Sequence, residues 1–294
     1  MECDAPTFGF VTKADARFFD GLLALLASIQ VWHPDQPITV VDCGLSAAQM
    51  HALAGFARVS VICGTGAGFK IPRSMQHYYT PAVYGFFSAH EQLYPVTIHV
   101  DADAVVLGPL DRLAAIAARS EPGICAVPDY PHLTLAYQLG DLPGAHASLL
   151  GAVPEVRLDS MSFNGGVFAI RAQYYNAHMR PFIDRLLPYH ELFWGNDMAV
   201  LNFAAYGANP RHPFIDAGNA YNTRHHYRRA SHLAPNRIAG LHPNGMPRLE
   251  GPFGPVHILH FVGQDKPWYA EPTPSDSLTV WQTYRQLART RSGL

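Results

Sequence analysis

The sequence lacks long hydrophobic runs. No stretch approaches the ~20 consecutive apolar residues that a helix needs to cross a bilayer. The first residues are acidic and are not followed by the apolar segment of a signal peptide. We therefore expect a cytoplasmic protein without a membrane span or a secretory leader. Peripheral contact with the inner face of a membrane is compatible with this composition.

Cysteine is scarce, and the charges nearly balance. The four cysteines (Cys3, Cys43, Cys63 and Cys125) include no CxxC pair. This spacing argues against a disulfide framework or a structural zinc site and favours reduced, mostly buried thiols. The formal net charge is -2, so the sequence offers no electrostatic case for nucleic acid as a partner.

Strand-like and helix-like patterns alternate through the first part of the chain. Residues 7–12, 38–42 and 59–62 are short apolar runs, and apolar side chains at helical spacing fill 18–29. Ser46 is a suitable N-cap for a second helix over 47–56. This β-α-β-α-β order predicts a doubly wound, mostly parallel sheet.

The rest of the chain predicts further elements of the same kind. A helix is expected over 81–93, a strand over 161–170 and a helix over 172–187. Residues 212–255 look irregular, with a basic centre at Arg224–Arg229 whose role the sequence leaves open. A last strand at 256–261 precedes a C-terminal helix, which could pack on the domain or lie on a membrane surface.

Two carboxylates follow a buried strand in the middle of the chain. Residues 96–100 are apolar and β-branched, and Asp101 and Asp103 come directly after them. Open α/β sheets place ligands at the carboxyl ends of their strands. Carboxylate oxygens there suit Mg²⁺ or Mn²⁺, which commonly bridge a diphosphate. The alternative is a strand end with two solvated acids.

Two other polar segments can be explained either by a functional site or by local structure alone. Asn164, Gly165 and Gly166 interrupt an apolar strand, which indicates either a close approach of backbone to ligand or an ordinary hairpin or bulge. Asp197 opens a helix and could be no more than its N-cap.

Four segments in order resemble one family. They are residues 11–15 (VTKAD), 101–103 (DAD), 163–168 (FNGGVF) and 260–268 (HFVGQDKPW). Together they resemble the GT-A nucleotide-sugar glycosyltransferases, most closely glycosyltransferase family eight, which includes glycogenin and bacterial lipopolysaccharide galactosyl- and glucosyltransferases. The last segment is similar to the family signature H-x-x-G-x-x-K-P-W and is the most specific of the four.

The resemblance implies a metal and phosphate site. By it, Asp101, Asp103 and His260 would hold Mn²⁺ or Mg²⁺, and Asp101 would also reach the ribose. Gly263 would let the backbone approach the diphosphate of a UDP-sugar, and Lys266 would place a positive charge on the same phosphates.

The resemblance also implies contacts to the nucleoside and the sugar. Asn164 would contact the donor sugar or the acceptor, and Asp197 would bind hydroxyl groups of the donor sugar. The remaining positions implied to line the donor site are Thr12, Asp15, Ala102 and Gly165.

The implied architecture is an α/β protein with a GT-A fold. A mostly parallel, Rossmann-like central sheet would be flanked by helices, with a smaller acceptor-facing C-terminal part. Residues 1–275 would form one domain, with a nucleotide-binding half at 7–127 and an acceptor and donor-sugar half at 128–275. Residues 276–294 would form the C-terminal helix.

The implied activity is transfer of a hexose from a UDP-sugar to a glycan or glycolipid, with retention of configuration. Bacterial surface polysaccharide or lipopolysaccharide assembly is the implied setting. The sequence leaves the donor sugar, the acceptor, the linkage and the oligomeric state open.

Two positions depart from the family pattern. Met198 stands where the family has a glutamine near the reacting carbon, and Met cannot be the nucleophile of a double displacement. Residues 79–84 lack the arginine that helps to neutralise the donor; Arg73 or Lys70 could compensate. These departures bear on the sugar and the mechanism more than on the donor class.

Two rival functions share the same residues. The DADAV segment beginning at Asp101 matches the first motif of haloacid-dehalogenase-type phosphatases, but three predicted strands precede it and no later acid pair follows. A catalytically degenerate sugar-nucleotide-binding protein would explain Met198 and the absent arginine. A nucleotidyltransferase would need an arginine-bearing glycine loop after the first strand, which residues 12–20 lack.

Overall fold

The structure is a computed structural model that describes residues 7–64, 69–71, 79–129, 133–139, 147, 149, 151, 153–226, 232–269 and 273–292. The strands are β1 (Phe8–Ala14), β2 (Ile38–Asp42), β3 (Val59–Cys63), β4 (Val96–Val100), β5 (Ala104–Val106), β6 (Ile124–Pro128), β7 (Phe163–Arg171), β8 (Ile215–Asp216), β9 (Thr223–Arg224), β10 (Arg237–Leu241), β11 (Pro247–Gly251), β12 (Gly254–Pro255) and β13 (Ile258–His260). The α-helices are α1 (Phe19–Trp32), α2 (Ala47–Leu53), α3 (Asp111–Arg119), α4 (Leu135–Leu139), α5 (Ala172–Tyr174), α6 (Arg180–Leu186), α7 (Asn196–Ala208) and α8 (Asp276–Ser292).

A seven-stranded central sheet has the strand order β3-β2-β1-β4-β7-β6-β8. β1 is parallel to β2 and β4, and β2 is parallel to β3. β7 runs antiparallel to both β4 and β6. The predicted mostly parallel sheet flanked by helices is therefore confirmed, with β7 as its antiparallel member.

Alternation along β1 separates the hydrophobic core into two layers. Phe8 and Phe10 pack with Leu22 of α1 on one face of the sheet. Val11 faces the other side, where it joins a cluster that includes Phe86 and Phe168. The central strands are thus buried on both faces, as their nearly continuous apolar sequences indicate.

The C-terminal helix packs on the domain. The indole Nε1 of Trp32 in α1 donates a hydrogen bond of 3.0 Å to the Tyr284 hydroxyl of α8, and Arg285 forms an ion pair with Asp20. Trp281 and Tyr284 are buried. The packing interpretation of this helix is confirmed. None of the described helices has the length and apolar character required to cross a membrane.

The region predicted to be irregular contains short strands. β10 and β11 form an antiparallel pair, and β12 extends it to a three-stranded sheet. β9 joins a second small sheet with the order β5-β13-β9. The prediction of irregular structure over 212–255 was wrong there because the strands are short and carry Pro, Gly and charged residues that obscure period-two alternation.

Several local predictions need correction. The helix at Pro81–Gln92 is a 3-10 helix, and a π-helical turn at Tyr175–Met179 interrupts the helix expected over 172–187. Gly195 occupies the N-cap position of α7, so the N-cap reading of Asp197 was wrong. Ser46 does cap α2, with Gln49 completing a capping box.

The expectation of reduced, mostly buried thiols holds only in part for the three described cysteines. Cys125 is buried, Cys43 is half-buried and Cys63 is exposed, and all three are free. Cys3 lies outside the described residues, as do Arg73 and residues 227–229 of the basic segment.

Asn202 joins α7 to the beginning of β7. Its Oδ1 accepts a 2.8 Å hydrogen bond from the Phe163 amide, and its Nδ2 donates to the carbonyl oxygens of Phe163 and Met198, each at 2.9 Å. Asn202 and Phe163 are fully buried. The contact sets the position of the strand residue that follows Phe163 and of the first turn of α7.

We predict that Asn202→Ala lowers the free energy of unfolding by roughly 2 to 4 kcal/mol, because it leaves two buried backbone groups of Phe163 unpaired. Chemical denaturation followed by circular dichroism measures this. Asn244→Ala, at an exposed turn, is the matched control and should change stability by less than about 0.5 kcal/mol. Equal effects of the two variants would contradict the prediction.

Candidate functional site

Strand pairing brings two distant segments to one place. β13 runs antiparallel to β5, with His260 opposite Ala104. The Phe261 amide donates a 2.9 Å hydrogen bond to the Asp103 carbonyl oxygen, which continues the pairing past the strand. Asp103 and His260 therefore become neighbours although 157 positions separate them in the sequence.

Asp101 reaches the same place from the end of β4. Its amide donates a 2.8 Å hydrogen bond to the Gly166 carbonyl oxygen of β7. The residues of the DAD segment thus form the turn between β4 and β5, with the Ala104 amide donating to the Asp101 carbonyl oxygen at 3.1 Å. The two carboxylates stand at the carboxyl end of β4, where the sequence predicted them.

Asp101, Asp103 and His260 form a cluster suited to a divalent cation. One ligand-type atom from each lies within 4.8 Å of the others, and His260 Nε2 is 3.1 Å from Asp103 Oδ1. Two carboxylates and an imidazole are ligands that suit Mn²⁺. The residues present therefore fit the metal that the sequence motif implies.

Hydrogen bonding selects the nitrogen of His260 that faces the cluster. The Asn222 side chain donates through Nδ2 to Asn164 Oδ1 at 2.9 Å, so its own Oδ1 is left to accept from His260 Nδ1, also at 2.9 Å. This assigns the Nδ1 proton of His260 and turns Nε2 towards Asp103. Asp103 and His260 would therefore be able to hold a divalent cation together.

Gly166 leaves the space that the cluster needs. A Cβ at this position would lie 2.3 Å from His260 Cε1 and 2.9 Å from Asp101 Oδ2. The glycine therefore marks a close approach of the backbone to the side chains of the site. The register between β6 and β7 also shifts over this segment, between the Ala126–Phe168 and Pro128–Phe163 pairs, so the bulge alternative holds as well. Gly165 faces the first turn of α7, where its Cβ would lie 3.2 Å from Met198.

Two buried lysines neutralise the carboxylates. Lys266 forms an ion pair with Asp103 and donates a 2.8 Å hydrogen bond to the Phe261 carbonyl oxygen. Lys13 donates to Asp101 Oδ1 at 2.9 Å and to Asp197 Oδ2 at 3.0 Å. With all five groups ionised, one net negative charge remains.

The charges of this cluster shift its pKa values. Burial would raise the pKa of Asp103, but Lys266 and His260 outweigh it and lower that pKa to about 2. Burial also opposes the ionisation of Asp101, yet Lys13 and His99 hold its pKa well below the usual range. Two anionic carboxylates at neutral pH are what a cation site requires.

Asp197 and His99 shift differently. Burial raises the pKa of Asp197 to about 6, with Lys13 opposing the shift and Asp101 adding to it. Burial and the Lys13 charge lower the pKa of His99 to about 4, so this imidazole is neutral at pH 7. Asp197 is the carboxylate of the site whose charge depends most on its cationic neighbour.

Most predicted site residues line one cavity of about 470 Å³. Its lining includes Asp101, Asp103, Asn164, Gly165, Asp197, His260, Gly263 and Lys266. A smaller adjoining cavity of about 70 Å³ is lined by Asp15 and Ala102, among others. Thr12 lines neither cavity and is buried within β1.

Asp15 lies at the mouth of the smaller cavity. Its Oδ1 accepts hydrogen bonds from the amides of Arg17 and Phe18 at 2.9 and 3.3 Å, and its Oδ2 accepts one of 2.6 Å from the Thr80 hydroxyl. Asp15 thus caps the turn that leads into α1 and ties it to the segment before Pro81. This arrangement fixes one wall of the smaller cavity.

The loop after β13 is held by an aromatic anchor. Gly263 adopts a φ of +101°, a conformation that favours glycine. Trp268 packs edge-on against Phe18 at a centroid distance of 5.5 Å. Its ring also fills the space beside Gly21, where a Cβ would lie 2.7 Å from it. This anchor holds the loop that carries Lys266.

Sequence reasoning does not identify three residues of the site. Lys13 lies within the first of the four family-like segments, and a lysine inside an otherwise apolar strand is itself an unusual signal. His99 and Asn222 are the other two. Nothing in the sequence marks Asn222, since its contact with His260 depends on the pairing of β9 with β13.

Of the two proposed substitutes for the absent arginine, Lys70 is not at the site. Lys70 forms an ion pair of 3.0 Å with Glu191, its side chain is 77% exposed, and it lines neither cavity. Arg73 lies outside the described residues. Among the residues that the structure describes, Lys13 and Lys266 are the lysines that line the large cavity.

A second group of ligand-type side chains includes His226, which lines the same cavity. His225, His226 and Asp265 each offer one ligand-type atom within 4.8 Å of the others. His225 Nδ1 lies 3.4 Å from the His260 carbonyl oxygen, and burial lowers the pKa of His225 to about 3. These histidines are the described end of the segment that the sequence identified as basic.

The fold is that of the GT-A glycosyltransferases, and the chain resembles family eight. The structure superposes on the galactosyltransferase LgtC, solved in complex with donor and acceptor sugar analogs, with a TM-score of 0.65. That match has 19% sequence identity and covers 96% of this chain and 95% of LgtC. An active-site mutant of LgtC matches equally well, with a TM-score of 0.66.

Larger glycosyltransferases contain the same fold as one part. The bifunctional glycosyltransferase WbbM matches with a TM-score of 0.62 and 14% identity, covering 97% of this chain and 50% of that one. GlyE of Streptococcus pneumoniae TIGR4 matches with a TM-score of 0.58 and 16% identity, covering 97% and 63%. No family model matches the sequence, and a search of curated proteins finds no significant match.

We predict that Gly166→Ala weakens Mn²⁺ binding by about 10- to 100-fold, because the added methyl group displaces His260 from the two carboxylates. Titration calorimetry with MnCl₂ measures the affinity, and circular dichroism checks the fold. Gly151→Ala is the matched control, since nothing lies within 4 Å of its added Cβ. Unchanged affinity in Gly166→Ala would show that the cluster is not the metal site.

Proposed function

We propose that the protein is a metal-dependent glycosyltransferase that transfers a hexose from a UDP-sugar to a hydroxyl group of a glycan or glycolipid. The observation that carries the proposal is the convergence of Asp101, Asp103 and His260 beside a cavity of about 470 Å³ in a GT-A fold. The resemblance to family eight favours Mn²⁺ or Mg²⁺ and a UDP-linked donor.

The diphosphate end of the cavity is built from this chain's own charged groups. A bound Mn²⁺ would supply Lewis-acid stabilisation of the departing diphosphate. Lys266, 7% exposed at its side chain, lies on the same wall and can offer its ammonium group to phosphate oxygens. Gly263 presents backbone without a Cβ beside it. Both stabilise negative charge that grows as the glycosidic bond breaks.

The sugar end lies between β7 and α7. Asp197 and Asn164 line the cavity there, with a carboxylate to accept and an amide to donate hydrogen bonds to sugar hydroxyl groups. Met198 offers no nucleophile at the position where the family has a glutamine. This argues against a double displacement. The resemblance to family eight favours retention by front-face attack, in which the acceptor oxygen bonds to the anomeric carbon while the bond to phosphate breaks. The acceptor proton then passes to the departing phosphate oxygen.

The two halves expected from the sequence would contribute differently to the site. Residues 7–127 would bind most of the nucleotide and residues 128–275 the sugar and the acceptor, with Gly263 and Lys266 of the second half reaching the diphosphate. The lining of the large cavity also includes Tyr137 and Trp194, whose rings are 4.9 Å apart at an angle of 85°. Aromatic faces of this kind suit the apolar face of a sugar acceptor.

A panel of nucleotide sugars tests the donor class. With MnCl₂ present, hydrolysis or transfer should occur with a UDP-hexose and should disappear when the metal is chelated. Release of nucleoside diphosphate provides the readout. Hydrolysis of simple phosphate esters without any nucleotide-sugar turnover would instead support the phosphatase. Tight donor binding without turnover would support a catalytically degenerate binding protein.

We predict that Asp103→Asn reduces Mn²⁺-dependent turnover by at least about 1,000-fold while the fold is retained, because the amide keeps the shape of the side chain but removes a ligand charge. Steady-state kinetics and circular dichroism measure the two outcomes. His260→Ala should weaken Mn²⁺ and donor binding together. Asp276, a half-buried acid at the first residue of α8 whose carboxylate accepts a hydrogen bond from the Ile238 amide of β10, offers Asp276→Asn as a control. Wild-type activity in Asp103→Asn would show that the metal assignment is wrong.

A further inference from the structure

Lys13 connects three elements of the site. It lies one residue before the end of β1 with a side chain only 7% exposed, and its ammonium group contacts Asp101 and Asp197 at 2.9 and 3.0 Å. His99 Nε2 lies 3.4 Å from this ammonium group and 3.1 Å from Asp101 Oδ1. Carboxylates on two different elements thus accept hydrogen bonds from one ammonium group.

The two carboxylates that share Lys13 face different parts of the cavity. Asp101 belongs to the cluster with Asp103 and His260, whereas Asp197 stands beside Met198 and Asn164 at the sugar end. Two anions this close repel one another unless a cation separates them. The ammonium group of Lys13 occupies that position and is fixed there by burial.

We propose that Lys13 is a positioning residue that couples the metal ligand Asp101 to the sugar-facing Asp197. Its fixed positive charge also shifts the site from binding a cation alone towards binding a cation together with an anionic nucleotide. This inference rests on the proposed function and deepens it. It gives the site a source of positive charge on the wall formed by β1, opposite the one that Lys266 provides.

The positive charge of Lys13 affects two ligands in opposite directions. A positive charge beside Asp101 opposes a divalent cation and competes with it for Oδ1. The same charge attracts a diphosphate and keeps the Asp197 carboxylate ready to accept hydrogen bonds. Removing the charge should therefore strengthen the binding of the metal alone and weaken the binding of the nucleotide. A lysine that only supported the fold would change both affinities in the same direction.

The test compares three variants with the wild type. Lys13→Met keeps the length of the side chain and removes its charge, and Lys13→Arg keeps the charge. Lys70→Met is the matched control, since Lys70 is the remaining lysine of the chain and is 77% exposed. Titration calorimetry measures MnCl₂ alone and then UDP, with GDP as a second probe, at saturating MnCl₂.

We expect Lys13→Met to bind Mn²⁺ alone about 3- to 10-fold more tightly and UDP about 30-fold or more weakly. Lys13→Arg should restore UDP binding to within about 10-fold of the wild type, and Lys70→Met should change neither affinity. If Lys13→Met does not fold, Lys13→Gln repeats the measurement with a neutral side chain that still bonds to a carboxylate. Parallel losses of both affinities, or no change in either, would overturn the inference.

The two proposals fail separately. If the wild type binds neither nucleotide and turns over no nucleotide sugar, the proposed function fails, whatever Lys13 does. If the wild type binds UDP with Mn²⁺ and Lys13→Met behaves identically, the glycosyltransferase proposal stands and the role of Lys13 is rejected.

Discussion

The antiparallel pairing of β5 with β13 is the constraint on which the site depends. This short ladder, with His260 opposite Ala104, brings the second half of the chain back to the carboxyl end of β4. Without this pairing, Asp103 and His260 would not be neighbours, and the loop that carries Lys266 would not be held in position. The aromatic contact of Trp268 with Phe18 then holds that loop against the beginning of α1.

Electrostatic balance is the second requirement of such a site. Buried carboxylates are costly unless cations accompany them. Lys13 and Lys266 approach from opposite segments of the chain, one on each side of the DAD turn. The carboxylates therefore stay ionised in the folded protein, and the fold can hold ligand charges in place before any ligand arrives. This preorganisation has catalytic value because the groups need not reorient during the reaction.

Sequence reasoning recovered the fold class, and most of the residues that it predicted for the site line one cavity. Buried strands such as β2 are short apolar runs that can be recognised in the sequence. The segment that ends at Trp268 combines histidine, glycine, lysine, proline and tryptophan at fixed spacing. The contributions of Lys13 and Asn222 could not be read in the same way, because each depends on which strands become neighbours. The short strands β10 to β12 were missed because their alternation is too brief to distinguish from a loop.

The orientation of Asn164 follows from its partners and points to its use. Its Oδ1 accepts hydrogen bonds from the Gly166 amide at 3.0 Å and from Asn222 Nδ2 at 2.9 Å. Among the described residues no acceptor is assigned to its Nδ2, and the side chain lines the large cavity. The amide of Asn164 therefore presents donors to the cavity while the nearby Asp197 presents acceptors. A sugar hydroxyl, which both donates and accepts, is matched by such a pair.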